Sequence, residues 1–266
     1  MLNLEFAEFS DPGPSREHNE DCVGHFLPAS ESEAQARGWL FALADGVGGQ
    51  DRGEVASATA IASLVADFSS APLNEMPNIL LPKLMQAANQ RVYEEGSGRG
   101  ASSAMIATTI VGCLFRFDRV TVAHAGDSRC YLIRRGQATP LTRDHTVANE
   151  QMHLGILSPR QASRAATSHV LSRCLGVELF VNIDVSEHLL LAGDVLLLCS
   201  DGMHRTVMPP DMSEVVNHTP LLRDAARSLV ELANQRDGSD NVSVQLIRVT
   251  SVERVGMYRG RLFKLR

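Results

Sequence analysis

Trp39-Leu40-Phe41-Ala42-Leu43-Ala44 runs without a polar side chain into Asp45-Gly46, and Val195-Leu196-Leu197-Leu198-Cys199-Ser200 runs likewise into Asp201-Gly202. Short apolar runs bounded by turn residues read as buried strands, so two strands each finish in a carboxylate. A third acid, Asp240, stands just before another apolar strand, Val242-Ser243-Val244-Gln245-Leu246-Ile247. Gathering several ionised carboxylates in a partly dehydrated cleft is unfavourable unless cations compensate, because like charge and lost hydration both oppose ionisation. The simplest compensation is bound metal.

With 266 residues and 44% hydrophobic content, the chain has enough apolar material for one substantial core. The formal net charge of -6, from 25 basic and 31 acidic side chains interspersed along the sequence, supplies no basic stripe for a nucleic acid partner. The one basic concentration is the tail 251–266, with Arg254, Arg259, Arg261, Lys264 and Arg266, readable as a docking segment or as a solvated end. Five cysteines, an odd number without a Cys-x-x-Cys pair, argue against a disulfide framework or a zinc site and fit a reducing compartment. Four of them lie in apolar strand-like contexts that suit small buried hydrophobes better than nucleophiles. The start lacks a signal sequence, and the apolar runs are too short to span a bilayer. A soluble, cytoplasmic, monomeric protein with no membrane partner is expected.

Leu2 to Phe9 alternates as a strand does and breaks at Ser10-Asp11-Pro12-Gly13-Pro14. Glu54 to Phe68 and Ile79 to Glu95 carry apolar residues at helical spacing, and the glycines of 96–100 stop the second helix. Ile106 to Phe117, Val120 to Ala125 and Cys130 to Ile133 read as an antiparallel meander, with Arg134-Arg135-Gly136-Gln137 as a hairpin turn. The polar, helix-prone stretch 144–171 interrupts the strands as a surface insertion. Strands resume at Val181 to Leu190 and Asp194 to Cys199, Leu221 to Gln235 forms an amphipathic helix, and Asn241 to Val249 closes the set. Long helices beside two groups of antiparallel strands point to a layered α+β domain over residues 1–250.

Taken singly, Asp-Gly is an ordinary turn signal, as Asp237-Gly238 illustrates. Joint occurrence changes the reading: Asp45, Asp201, Asp240, Asp127 and the pair Glu20-Asp21 all stand at strand boundaries. If those boundaries share one edge of the core, the acids face one cleft, and oxygen ligation without spaced His or Cys selects magnesium or manganese over zinc. Two such ions acidify and orient a shared water, which then attacks near neutral pH. Arg16, just before Asn19-Glu20-Asp21, has the planar fork suited to two phosphate oxygens.

These residues resemble the metal-dependent serine/threonine phosphatases of the PPM, or type 2C, class. Ser10 to Asp21 resembles the family's Gly-x-x-Arg-x-x-Asn-Glu-Asp opening, and Asp45-Gly46-Val47-Gly48-Gly49 its Asp-Gly-x-Gly-Gly string. Ala107-Thr108-Thr109, Gly126-Asp127-Ser128-Arg129, Ser200-Asp201-Gly202 and Asp240-Asn241 follow in the family's order. The resemblance implies a four-layer α-β-β-α sandwich of two antiparallel sheets flanked by helices, with Mn²⁺ or Mg²⁺ at one edge. It implies that Asp45 bridges two ions, that the Gly46 carbonyl completes one site, and that Asp201 and Asp240 hold the other. Glu20 and Asp21 would act through water, Asp127 with Asp201 would hold a weaker third ion, and Arg16 would bind the substrate phosphate. Residues 144–171 resemble the flap of bacterial members. The substrates implied are phosphoproteins, in bacteria often the targets of a cognate Ser/Thr kinase.

Two departures stand out. Ala107 replaces a usual glycine, and Val47 occupies the place of a histidine proposed as general acid in eukaryotic relatives. His18 and His204 lie near motif residues, without a role assigned to either. A catalytically silent binding module would be expected to lack a metal acid, and none is missing. A hydrolase of small phosphate esters would share the same chemistry and differ only in access.

Overall fold

The computed structural model describes residues 2–47, 52–73, 75–97, 105–252, 255–258 and 261–264. In chain order it begins β1 (Asn3–Asp11), β2 (Asp21–Phe26), α1 (Glu31–Ala36), β3 (Trp39–Val47), α2 (Gly53–Ser70) and α3 (Pro77–Gly96). The meander follows as β4 (Ala107–Thr108), β5 (Ile110–Arg116), β6 (Arg119–Ala125), β7 (Arg129–Arg134) and β8 (Gln137–Pro140). After α4 (Val147–His153), α5 (Pro159–Ala162) and a 3-10 turn (Ala166–His169) come β9 (Asp184–Leu189) and β10 (Val195–Cys199). The chain continues with α6 (Asp201–His204), α7 (Pro209–His218), α8 (Leu222–Arg236) and β11 (Val242–Ser251), then a hairpin of β12 (Val255–Tyr258) and β13 (Arg261–Lys264).

Two antiparallel sheets stack face to face, one ordered β1-β11-β10-β7-β8 and the other β2-β3-β5-β6-β9. Three cores separate four layers. Leu40, Ala42 and Ala44 of β3 pack under α2 and α3, whereas Phe41 and Leu43 face the opposite sheet. In β10, Val195, Leu197 and Cys199 meet α7 and α8, while Leu196 and Leu198 turn inward. Both faces of each strand are covered, which is why these sequences are continuously apolar rather than alternating. Cys113 and Cys130 meet between the sheets with their sulfurs 3.5 Å apart, and Cys199 is also buried, as the apolar contexts of these thiols suggest.

The expected four-layer sandwich is present, and residues 144–171 form an excursion between the strands. Several details differ from the sequence reading. Asp45 and Gly46 lie inside β3, which continues to Val47 by pairing with β4. The run from Ile106 is broken at Thr109 into two strands, and the strand expected from Val181 starts at Asp184. Helices α1 and α6 are short segments that carry little periodic signal, and the amphipathic α7 lies outside the sequence reading. The Arg134–Gln137 turn is as expected, with Arg135 and Gly136 both at positive φ. Gly48, Gly49, residues 98–100, Arg254, Arg259 and Arg266 lie outside the described residues. No described helix is long and apolar enough to cross a membrane.

The β9–β10 connection is tied down by one buried acid. Asp194, 2% exposed, receives Nε and Nη2 of Arg134 at 2.8 and 2.7 Å and the Leu191 N–H at 2.7 Å. Asp194→Ala should therefore lower the urea unfolding free energy by about 1.5–3 kcal/mol, the range for hydrogen bonds to a charged group. A loss below about 0.5 kcal/mol, the level of a surface substitution, would contradict this account.

Candidate active site

Seven of the eight residues singled out in the sequence line one cavity of about 230 Å³: Arg16, Glu20, Asp45, Gly46, Asp127, Asp201 and Asp240. Asp21, the eighth, is not in the wall. It pairs with Asp45 across the β2–β3 ladder, accepts the Ser200 hydroxyl proton on Oδ2 at 2.8 Å, and leaves Oδ1 buried without a partner.

Each sheet delivers its acids through neutral hydrogen-bonding neighbours. The Asp45 N–H donates to Thr109 Oγ1 at 3.0 Å, and its carbonyl accepts from Thr108 Oγ1 at 2.8 Å and the Thr109 N–H at 2.9 Å. Thr109 Oγ1 also shares a 2.7 Å hydrogen bond with Ser128, beside Asp127. The break between β4 and β5 thus turns a threonine pair onto the Asp45 backbone. On the other sheet, Asn241 Oδ1 accepts the Glu20 N–H at 2.8 Å, and its amide donates to Pro12 O and His18 O at 2.9 Å each. Asp240 and the loop carrying Arg16 are held together in this way. Glycine is required at two approaches: a Cβ on Gly46 would come within 2.4 Å of Gly53 O, and one on Gly202 within 2.3 Å of Asn241 O.

The electrostatics are those of anions short of counter-charge. Burial, followed by repulsion from Asp21, Asp201, Asp127 and Asp240, raises the Asp45 carboxyl well above the usual carboxylate range. Burial pushes Asp21 and Asp127 up to about 7 each, and raises Asp201 and Glu20. Arg16 Nη2 lies 2.8 Å from Asp240, and Arg205 Nη2 lies 2.7 Å from Asp201 and 3.4 Å from Asp127. Two guanidinium groups do not offset this many acids. Hard oxygen donors around one cavity, together with the orphaned Asp21 oxygen, fit divalent cations such as Mn²⁺ or Mg²⁺.

Arg205 escaped the sequence reading, although its place four residues after Asp201 on a helical turn is a readable signal. His169 and Leu171 also line the cavity, from the 3-10 turn and the segment after it, in a polar stretch where no motif singles them out. Val47 forms part of the wall. His204 is buried, donates Nε2–H to Asp127 O at 2.8 Å, and is pushed down to about 3 by burial. It is a neutral structural group. His18 is exposed and does not line the cavity.

A second cluster sits at the base of the flap. His124 and His145 stack at 4.5 Å, and His145 lies 3.2 Å from Asp184. Their ligand atoms come within 4.8 Å of one another, and hydrogen bonds tie the group together. His145 Nδ1 accepts the Gly126 N–H at 3.2 Å, its Nε2 faces Asp184, and His124 Nε2 meets Arg143 O at 2.9 Å. Arg173 adds a 2.8 Å bond to Asp184. The cluster anchors the 144–171 excursion to β6 and β9.

Comparison with known proteins agrees with this geometry. The family profile "Protein phosphatase 2C" matches residues 13–151. The curated serine/threonine phosphatase stp of Listeria innocua is 33% identical over 260 residues, spanning 96% of this chain and 98% of that protein. Among solved structures, the S. agalactiae serine/threonine phosphatase superposes with a TM-score of 0.83 at 30% identity, covering 93% of this chain and 100% of that one. The catalytic domain of the serine/threonine protein phosphatase PstP, in complex with two manganese ions, gives 0.77 at 33% identity, covering 94% and 100%.

The raised carboxyls make a testable contribution to stability. Folded Asp127 holds its proton up to about pH 7, against 3.8 for the ordinary side chain, so its contribution to stability is lost as pH rises through that window. The lowered histidines act in the opposite sense, but they cancel in a comparison with Asp127→Asn. In chelator, the variant should gain stability relative to the unsubstituted protein between about pH 4 and 7. Urea midpoints across that range measure it, and a flat difference would show that Asp127 is not strained.

Proposed function

Because this chain belongs to the protein phosphatase 2C family, we propose that it hydrolyses phosphoserine and phosphothreonine in proteins at the aspartate cavity. The observation that carries this reading is the convergence of Asp45, Asp127, Asp201 and Asp240 with Arg16 on one wall-to-wall site. Asp45 and the Gly46 carbonyl, with Asp201 and Asp240, would hold two Mn²⁺ or Mg²⁺ ions, and Asp127 with Asp201 a weaker third. When bound, these ions would lower the pKa of a shared water and orient it for attack on phosphorus. Glu20 and Asp21 fix the orientation of that site through water-mediated hydrogen bonds.

Arg16 is the phosphate clamp. Its fork rests on Asp240 and Ser239 O here, and a phosphate offers the same two-point acceptor pattern. Residues 1–250 act as one catalytic domain with the flap at 144–171, and the tail 251–266 stands apart from the chemistry. A phosphoprotein substrate presupposes a kinase, so the physiological counterpart is a cognate Ser/Thr kinase or its targets in the cytoplasm.

Phosphate release from phosphoserine, phosphothreonine and phosphotyrosine peptides, with and without Mn²⁺, tests the reading. Release should require the metal and favour the first two. Asp45→Asn or Asp240→Asn should abolish it, and Arg16→Ala should raise KM at least about tenfold by removing a charge-assisted contact. Metal-independent release, or full activity in both aspartate variants, would defeat the mechanism.

A further inference from the structure

The reaction proposed above leaves one requirement unassigned. Phosphoserine and phosphothreonine depart as alkoxides, which leave slowly unless a proton reaches the bridging oxygen as its bond to phosphorus breaks. The cavity aspartates are committed to cations and Glu20 to water-mediated orientation on that reading, and a guanidinium does not give up its proton. Val47 is apolar.

The chain has nine histidines, and His169 is the one that lines the aspartate cavity. It ends the 3-10 turn Ala166–His169, is exposed, and lies close enough to Asp201 to favour that carboxylate electrostatically. Its ring has no hydrogen-bond partner among the described residues. The turn is fixed in place by the Val147 N–H donating to Val170 O at 2.8 Å and by the Thr146–Leu171 bridge. Leu171, two residues further along the chain, adds an apolar wall to the same cavity. The other nearby imidazoles are engaged: His204 on Asp127 O, and His124 and His145 in the flap base.

The geometry points to His169 as the general acid of this site, carried into the cavity by the flap. Resting on the phosphatase reading, the step balances as follows. The oxygen of the attacking water bonds to phosphorus and its proton passes to solvent. The bond from phosphorus to the seryl or threonyl oxygen breaks, and the electron pair left on that oxygen takes the proton of the His169 imidazolium. Free alcohol and inorganic phosphate leave, and solvent reprotonates the exposed ring. On this assignment the 144–171 segment supplies the proton while the aspartate cavity supplies the attacking water.

A leaving-group series separates this role from simple binding. Turnover of a phosphothreonine peptide, phenyl phosphate and 4-nitrophenyl phosphate would be compared for the unsubstituted protein, His169→Gln and His169→Ala, with calorimetric Mn²⁺ affinity and melting temperature measured on each. The expected kcat loss is about 10²- to 10⁴-fold on the peptide, the usual contribution of a general acid. It should shrink on phenyl phosphate and be smallest on nitrophenyl phosphate, whose leaving group least needs a proton, with Mn²⁺ affinity retained. An equal loss on all three esters, or no loss on the peptide, would overturn the assignment while leaving the phosphatase reading intact. An unsubstituted protein inert toward all three with Mn²⁺ would overturn both.

Discussion

Mutual repulsion among dehydrated carboxylates is the constraint around which this molecule is arranged. Asp45, Asp127, Asp201 and Asp240 converge on one cavity, with burial and like charge both opposing the ionisation of Asp45, Asp127 and Asp201. Such a site survives folding only if the surrounding scaffold over-determines it. The three cores supply that stability. Strands β3 and β10, buried on both faces, are anchored by apolar contacts that do not depend on what their polar ends are doing. The acids are therefore placed by the most secure elements of the fold, and the unfavourable charge is confined to the sandwich edge.

Neutral donors and acceptors do the local positioning. Thr108 and Thr109 grip the Asp45 backbone, Ser200 bridges the Asp21 carboxylate to the Ser243 N–H, and Asn241 joins Glu20 to the Arg16 loop. Using hydroxyls and amides here avoids adding charge to a site that already gathers several acids. The two arginines in reach are placed at the periphery, where their pairs are partly exposed and so exchangeable. Arg205, spanning Asp201 and Asp127, lends counter-charge to two acids at once.

What the sequence revealed follows from which interactions leave local patterns. Double-sided burial makes β3 and β10 continuously apolar, so both strands and the acids near their ends were legible at once. The long helices α2, α3 and α8 announced themselves by periodicity. The break at Thr109 was hidden, because Ile106 to Phe117 is equally apolar and β-branched on both sides of it; only the partner, Asp45, explains the interruption. Helices α1 and α6 are too short for a periodic signal, whereas α7 carries one, in Met212, Val215 and Val216, that the sequence reading missed. Arg205 was visible only as an i, i+4 spacing, and His169 not at all, since its place in the cavity is a property of how the flap folds back.

The flap base shows how that fold-back is tied to the acids. His145 exchanges two hydrogen bonds with Gly126: its N–H donates to Gly126 O at 3.0 Å, and its Nδ1 accepts the Gly126 N–H at 3.2 Å. Gly126 is the residue before Asp127, and His145 is the residue before Thr146, which starts α4 as its cap. The His145 carbonyl also accepts the Ser172 N–H at 2.9 Å, so one residue joins the outgoing flap strand, the returning one and the Asp127 turn. Burial and the neighbouring His124 hold the His145 ring neutral, down to about 4, so it keeps one acceptor nitrogen for Gly126 and one donor for Asp184. A charged ring would have no acceptor to offer, and the Gly126 contact would become a repulsion between two N–H groups. The burial that keeps His145 neutral therefore keeps the 144–171 excursion in register with Asp127, and the segment bearing His169 returns to the same cavity edge that the aspartates define.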